Sequence, residues 1–128
     1  MPAPGATLNV ADLQAVLDLL GQAQVECTAL GNLATHPLDD QAIWHLRAHR
    51  IWIAGETLTE AVDPPLPSPA HDNVATGQDP LRLMTAAMDK LLALPDNLDN
   101  YALFQCRLDT SDALAAVRLH YALPARTG

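Results

Sequence analysis

Apolar side chains return every three or four residues along two blocks of this chain, and a proline-rich stretch over 63–80 separates the blocks. This spacing predicts amphipathic helices. The first block, over 10–62, predicts two long helices with a short connection, which favours an antiparallel helical hairpin. The second block, over 81–123, predicts a shorter helical unit. The expected fold is therefore all-α and bundle-like, with four to five helices in one domain.

Residues with capping chemistry mark where the first three helices begin. Asn9 is a predicted N-cap of a helix from Val10 to about Leu33, because its side chain can accept a hydrogen bond from a free backbone N–H. Asp39 or Asp40 can cap the second helix in the same way. Asp79 followed by proline predicts the start of a third helix that Pro95 terminates.

In the last part of the chain, helical spacing of apolar residues predicts a fourth helix; these residues are Leu98, Tyr101, Phe104 and Leu108. Residues 109–112 read Asp-Thr-Ser-Asp, a run that favours a break and a new helix start. A final helix to about Leu123 would bury apolar residues from its own stripe. Residues 50–54 include β-branched and aromatic residues, and residues 101–107 alternate between apolar and polar positions, so each segment is also compatible with a strand. Helix is favoured for 50–54, since helical periodicity continues on both sides.

Charge and composition exclude several classes of function. The chain has 15 acidic and 7 basic residues and a net charge of −8, so it offers no electrostatic basis for binding nucleic acid. Its sequence has neither a membrane-spanning run nor a secretory signal, which predicts a cytoplasmic protein without membrane contact. Cys27 and Cys106 have no Cys-x-x-Cys pairing and are expected to be buried free thiols. We expect no cofactor.

Two histidines give the chain its main candidate for metal chemistry. His45 and His49 are four residues apart, which places both imidazoles on one helix face, and Glu56 continues that face. Such a set can bind a divalent transition metal. A third ligand would come from His36, His71, His120 or a carboxylate. The metalloprotease motif is incomplete, because Leu46 stands where the general base belongs.

The segment Trp44-His45-Leu46-Arg47-Ala48 resembles the histidine phosphotransfer domains of two-component signalling. That family consists of small acidic helical bundles with an exposed, phosphorylated histidine. Aligned on Leu46, Arg47 and Ala48, this chain has Trp44 at the histidine position, and His45 is turned by about 100° around the helix. The resemblance therefore implies, at most, a degenerate bundle that keeps a partner-binding face without the phosphotransfer activity.

The interpretation that these patterns favour is a non-catalytic interaction or regulatory module. Its partner would be another protein or further copies of the chain. We expect the contact to involve Trp44, Ile51 and Trp52, together with the leucine-rich stripe of the first helix, because that helix has apolar residues on more than one face. A metal-binding helical bundle is the alternative.

Overall fold

The computed structural model describes residues 9–33, 35, 37–62, 64–66, 74–95 and 100–122, apart from the side chains of 120–122. Within these ranges the chain forms four α-helices and no strand, which confirms the all-α prediction. The helices are α1 (Val10–Gly31), α2 (Leu38–Thr59), α3 (Pro80–Ala93) and α4 (Tyr101–Ala122). Residues 50–54 and 101–107 are helical.

Local capping chemistry sets the starts of α1 and α3 as predicted. The Asn9 side chain accepts a hydrogen bond from the Ala11 N–H at 2.9 Å, and the Asp79 side chain accepts one from the Leu81 N–H at 3.0 Å. The start of α2 differs from the prediction. It follows Pro37, which provides no side-chain cap, and Asp39 and Asp40 lie inside the first turn. Their carboxylates there interact favourably with the helix dipole.

α4 is one helix where the sequence predicts a break at 109–112. Two polar side chains of that run, those of Asp109 and Thr110, have partners one turn earlier in the same helix. Thr110 is fully buried, with its Oγ1 3.7 Å from the Cys106 Sγ one turn earlier. Asp109 accepts a hydrogen bond from the Gln105 side-chain amide at 3.0 Å. Because these polar groups are satisfied along the helix surface, they do not compete with its backbone hydrogen bonds.

The four helices are arranged in a ring in which α1 contacts α2 and α3, and α4 also contacts α2 and α3. α1 and α4 are diagonal to each other, as are α2 and α3. One core cluster draws its apolar side chains from all four helices. α3 and α4 therefore complete the core that α1 and α2 begin.

Hydrogen bonds between the helix ends show how α4 is oriented. The Asn100 side-chain amide donates to the Ala61 carbonyl at 2.7 Å, which holds the start of α4 at the end of α2. The Arg107 guanidinium donates to the Leu91 and Leu94 carbonyls, at 3.0 Å in each case from Nη2. This places the first part of α4 beside the end of α3. α4 is thus antiparallel to both of its neighbours.

The connection between α2 and α3 joins opposite ends of the bundle. α2 ends beside the start of α4, whereas the residues before α3 are attached to the second half of α1 through Glu26. Near its beginning the connection is held by the Leu66 N–H, which donates to the Thr59 carbonyl at 2.9 Å. Much of the predicted proline-rich connector, including Pro67 and Pro69, lies outside the described residues.

Glu26 fixes the end of this connection from within α1. Its buried carboxylate accepts hydrogen bonds from the backbone N–H groups of Thr76, Gly77 and Gln78, each at 3.1 Å, and from the Gln22 side chain at 3.0 Å. Gly77 has a φ of +84°, a conformation that favours glycine. Burial alone would raise the pKa of Glu26, but the hydrogen bonds together outweigh it, and the pKa is lowered. The carboxylate is therefore the charged anchor of residues 76–78.

Both cysteines are free and buried, as the sequence predicts. Burial raises the pKa of Cys27 to about 12 and that of Cys106 to about 11. Because the thiolate is the nucleophile, we expect neither thiol of the native protein to react with an aromatic disulfide reagent at mildly alkaline pH, while both react after unfolding. An Asp18→Cys variant, with an exposed thiol on α1, is the positive control. Rapid reaction of Cys27 or Cys106 in the folded wild-type protein would contradict this expectation.

None of the helices in the described part of the chain has the length and apolarity needed to cross a lipid bilayer.

Candidate interaction surface

α4 has apolar residues on two opposite sides. Its inner side contributes Leu103, Cys106, Ala113, Leu114 and Val117 to the buried residues of the bundle. Its other side exposes Tyr101 (73%), Phe104 (57%), Leu108 (46%) and Leu119 (60%) to solvent. At the helical repeat these four side chains fall within about 60° of one another around the axis. We call this set of four residues the α4 outer face.

The exposed apolar area of the α4 outer face is comparable with the largest apolar patch of a typical monomer. Side chains of these types have roughly 150–250 Å² of surface, so the four together leave on the order of 500 Å² in water. The largest apolar patch of a typical monomer is about 300–600 Å², and patches of that size are often functional. The α4 outer face falls within that range, so it is a candidate contact surface.

A groove between α2 and α4 borders the α4 outer face. Its volume is about 340 Å³, and its walls are Leu46, His49, Arg50 and Ile53 from α2, with Asp109 and Asp112 from α4. Leu46 and Ile53 are exposed. The groove therefore places exposed apolar residues of α2 beside α4, with charged groups of both signs between them and the α4 outer face.

Of the three predicted contact residues of α2, two are buried and one is partly exposed. Trp44 is buried, with the Arg47 guanidinium 5.0 Å from its ring centre. Ile51 is fully buried in the core. Trp52 is partly exposed and stacks on His49, with 5.8 Å between the ring centres. The structure thus places Trp44 and Ile51 in the core, because the side of α2 that carries them faces the other helices.

The apolar stripe of α1 is likewise covered within the bundle. Its residues Leu13, Val16, Leu17 and Leu20 are buried in the core, and α1 contacts two helices, α2 and α3, where one neighbour was expected. α1 therefore has no large apolar face left uncovered along its length, whereas α4 has several exposed apolar residues.

The residues of the predicted metal site make separate contacts. The His45 ring lies against Gly31 at the end of α1, so close that a Cβ on Gly31 would be 2.8 Å from the ring. The His49 ring stacks on Trp52, and Glu56 is partly exposed. Over the described ranges no three His, Cys, Asp or Glu side chains form a group that could hold a metal ion.

Three of the proposed further ligands cannot be placed. His36 and His71 lie outside the described residues, as does the side chain of His120. The metal site therefore stays a prediction.

The position that carries the resemblance to phosphotransfer domains is Trp44. The resemblance implies an exposed histidine there, and the structure has a tryptophan that is 3% exposed. The neighbouring His45 is exposed but packs over the end of α1. The face that this resemblance would assign to a partner is therefore not a free surface at Trp44.

The sequence predicts a fourth helix from Tyr101, Phe104 and Leu108, and the structure has these three side chains on the exposed side of that helix. The signal that could have shown their exposure is a second apolar stripe on the same helix, formed by Leu103, Cys106, Ala113, Leu114 and Val117. Two stripes on opposite sides cannot both face one core. The stripe with the bulkier side chains is the one that faces solvent.

Comparison of the chain with protein-family models, with curated proteins and with solved structures gave no match in any of the three.

Proposed function

We propose that this chain is a non-catalytic protein–protein interaction module whose contact surface is the α4 outer face. The observation that carries the proposal is the pair of opposite apolar sides on α4, of which only the inner one is covered by the described residues. Burying apolar surface against another protein removes it from water and is favourable in proportion to its area. Aromatic residues, which dominate well-packed contact sites, make up half of the α4 outer face.

The surroundings of the α4 outer face support the same function. Polar and charged residues border it, among them Asp112 and Arg118 on α4 and Arg50 on α2, all exposed. An apolar centre with a polar rim is the usual composition of a protein interface. The buried thiols, with their raised pKa values, are poor nucleophiles, which favours binding over covalent chemistry. Two unpaired cysteines also fit a cytoplasmic protein.

Site-specific photo-crosslinking in the native cells tests the proposal. We expect a benzophenone amino acid at position 104 to form covalent adducts, because a bound partner would lie directly against this side chain. The matched control is the same amino acid at position 18, an exposed polar site on α1, where we expect no adduct. Adducts of equal yield at both positions, or none at position 104, would contradict the proposed function. The mass of each adduct distinguishes a second copy from a different protein.

A further inference from the structure

The chemistry and shape of the α4 outer face also indicate what binds there. We infer that the occupant is a second copy of this chain, with the two α4 helices antiparallel about a two-fold axis close to Ser111. This inference rests on the proposed function above and names its partner.

The distribution of charge favours a second copy. The whole chain has a net charge of −8, yet α4 has two arginines, Arg107 and Arg118, and two aspartates, Asp109 and Asp112. The acidic excess therefore lies on other parts of the chain. Two copies that meet through α4 bring together helices without net charge. The two Asp112 carboxylates lie near the axis, where Arg50 of the same groove provides the opposite charge. A basic partner would find no acidic excess along this helix.

The side-chain sizes along α4 match an antiparallel pair. The first half of its outer side has the bulky residues Tyr101, Phe104 and Leu108, whereas the middle and second half have the small exposed residues Ser111 and Ala115 before Leu119. About an axis at Ser111, an antiparallel arrangement packs Leu108 of each helix on Ser111 and Ala115 of its partner and brings Phe104 beside Leu119. A parallel arrangement would place the bulky residues of the two helices against each other and leave a gap between their small residues. A two-fold axis uses the same patch on both copies and closes the assembly at a dimer.

The available area is sufficient for a stable dimer. A typical stable interface buries about 800 Å² on each partner. The α4 outer face provides on the order of 500 Å² of apolar area, and the adjoining α2 side of the groove adds Leu46 and Ile53. Opposite charges at the groove are suitably placed for contacts between copies. An antiparallel two-fold contact brings the α2 and α4 sides of the two grooves together, so Arg50 of one copy can approach Asp112 of the other.

Sedimentation and light scattering of the full chain test the inference across a micromolar concentration range. We expect wild-type protein to reach twice the chain mass of 13.7 kDa. Phe104→Glu and Leu108→Glu should each shift the protein to a monomer with unchanged helical content, because both side chains are exposed in the single chain. The matched control is Val10→Glu, which adds the same charge at an exposed apolar residue of α1, the helix diagonal to α4. We expect this control to remain dimeric.

Disulfide trapping tests the orientation of the pair. A cysteine at position 111 of each copy would lie beside the two-fold axis, where small side chains allow the Cα atoms to approach to about 4.4–6.8 Å, the range a disulfide needs. We expect Ser111→Cys to oxidise to a covalent dimer much faster than the control Asp18→Cys. The native thiols are buried and do not interfere.

A wild-type chain that is monomeric at every concentration would overturn the inference. So would a dimer that persists in Phe104→Glu, or a Ser111→Cys variant that oxidises no faster than Asp18→Cys. If the chain is monomeric but position 104 forms crosslinks to a different protein in cells, only the identity of the partner is wrong, and the proposed function stands.

Discussion

Leu91→Ala is expected to lower the free energy of unfolding by about 2–5 kcal/mol, because it removes a fully buried side chain and leaves a cavity among tightly packed neighbours. Leu91 lies on α3, and its contacts belong to the single core cluster to which all four helices contribute. Unfolding measured by circular dichroism in denaturant should therefore remain one cooperative transition at a lower midpoint.

The next residue provides the control for this prediction. Leu92 is 64% exposed on the same helix, so Leu92→Ala makes the same substitution without a cavity, and we expect a change within about 0.5 kcal/mol. Equal effects of the two substitutions would show that α3 does not pack in the orientation described. Two separate unfolding transitions, only one of them affected by Leu91→Ala, would show that the chain divides into two folding units.

Glu26→Gln is expected to cost about 1–3 kcal/mol of stability, since it replaces a charged acceptor of several hydrogen bonds by a neutral amide. The amide can accept through its oxygen only, and its NH₂ group would face backbone N–H donors. Hydrogen exchange measured by NMR should show faster exchange of the Thr76, Gly77 and Gln78 amides, whose bonds to the carboxylate would weaken. The control is Asp18→Asn, at an exposed carboxylate on the same helix that accepts one side-chain bond from Gln14.

The pH dependence of stability gives a second readout for Glu26. Its pKa in the folded protein is lowered, so the contribution of the carboxylate is present above about pH 4.5, its ordinary value, and is lost as the pH falls through the folded pKa. The stability difference between wild-type protein and Glu26→Gln should therefore shrink in acid. A difference that does not change with pH in that range, or unaltered exchange of residues 76–78, would contradict the role assigned to Glu26.

Signals within one helical turn predicted much of the fold. The starts of α1 and α3 follow from Asn9 and Asp79, whose side chains need only the next two residues to form their caps. The same reasoning placed a cap at Asp39 or Asp40 and a break at 109–112, and both predictions were wrong. Asp109 is a residue type that can cap a helix, but its carboxylate accepts hydrogen bonds from Gln105 one turn earlier and from Thr57 of the neighbouring α2, the latter at 3.5 Å. A local pattern does not reveal such competing partners.

The candidate surface was harder to predict because exposure depends on neighbours. Trp44 and Ile51 were expected to contact a partner, since one neighbouring helix cannot cover all the apolar residues of a long helix that has them on more than one face. Each helix of the ring has two neighbours, and these cover them. Phe104 is among the apolar positions that predict the fourth helix, yet no helix of the described bundle lies over it.

The amino-acid sequence by itself determined that the chain is helical, where two of its four described helices begin and how its acidic charge is distributed, because periodicity and capping act over a few neighbouring residues. Only the tertiary structure decided which side of α4 is covered and which residues bind Glu26, some fifty positions away. These depend on helix directions and on the route of the chain between α2 and α3. Packing of all four helices selects among stripes that are locally equivalent, so the sequence pattern alone could not distinguish the core of α4 from its outer face.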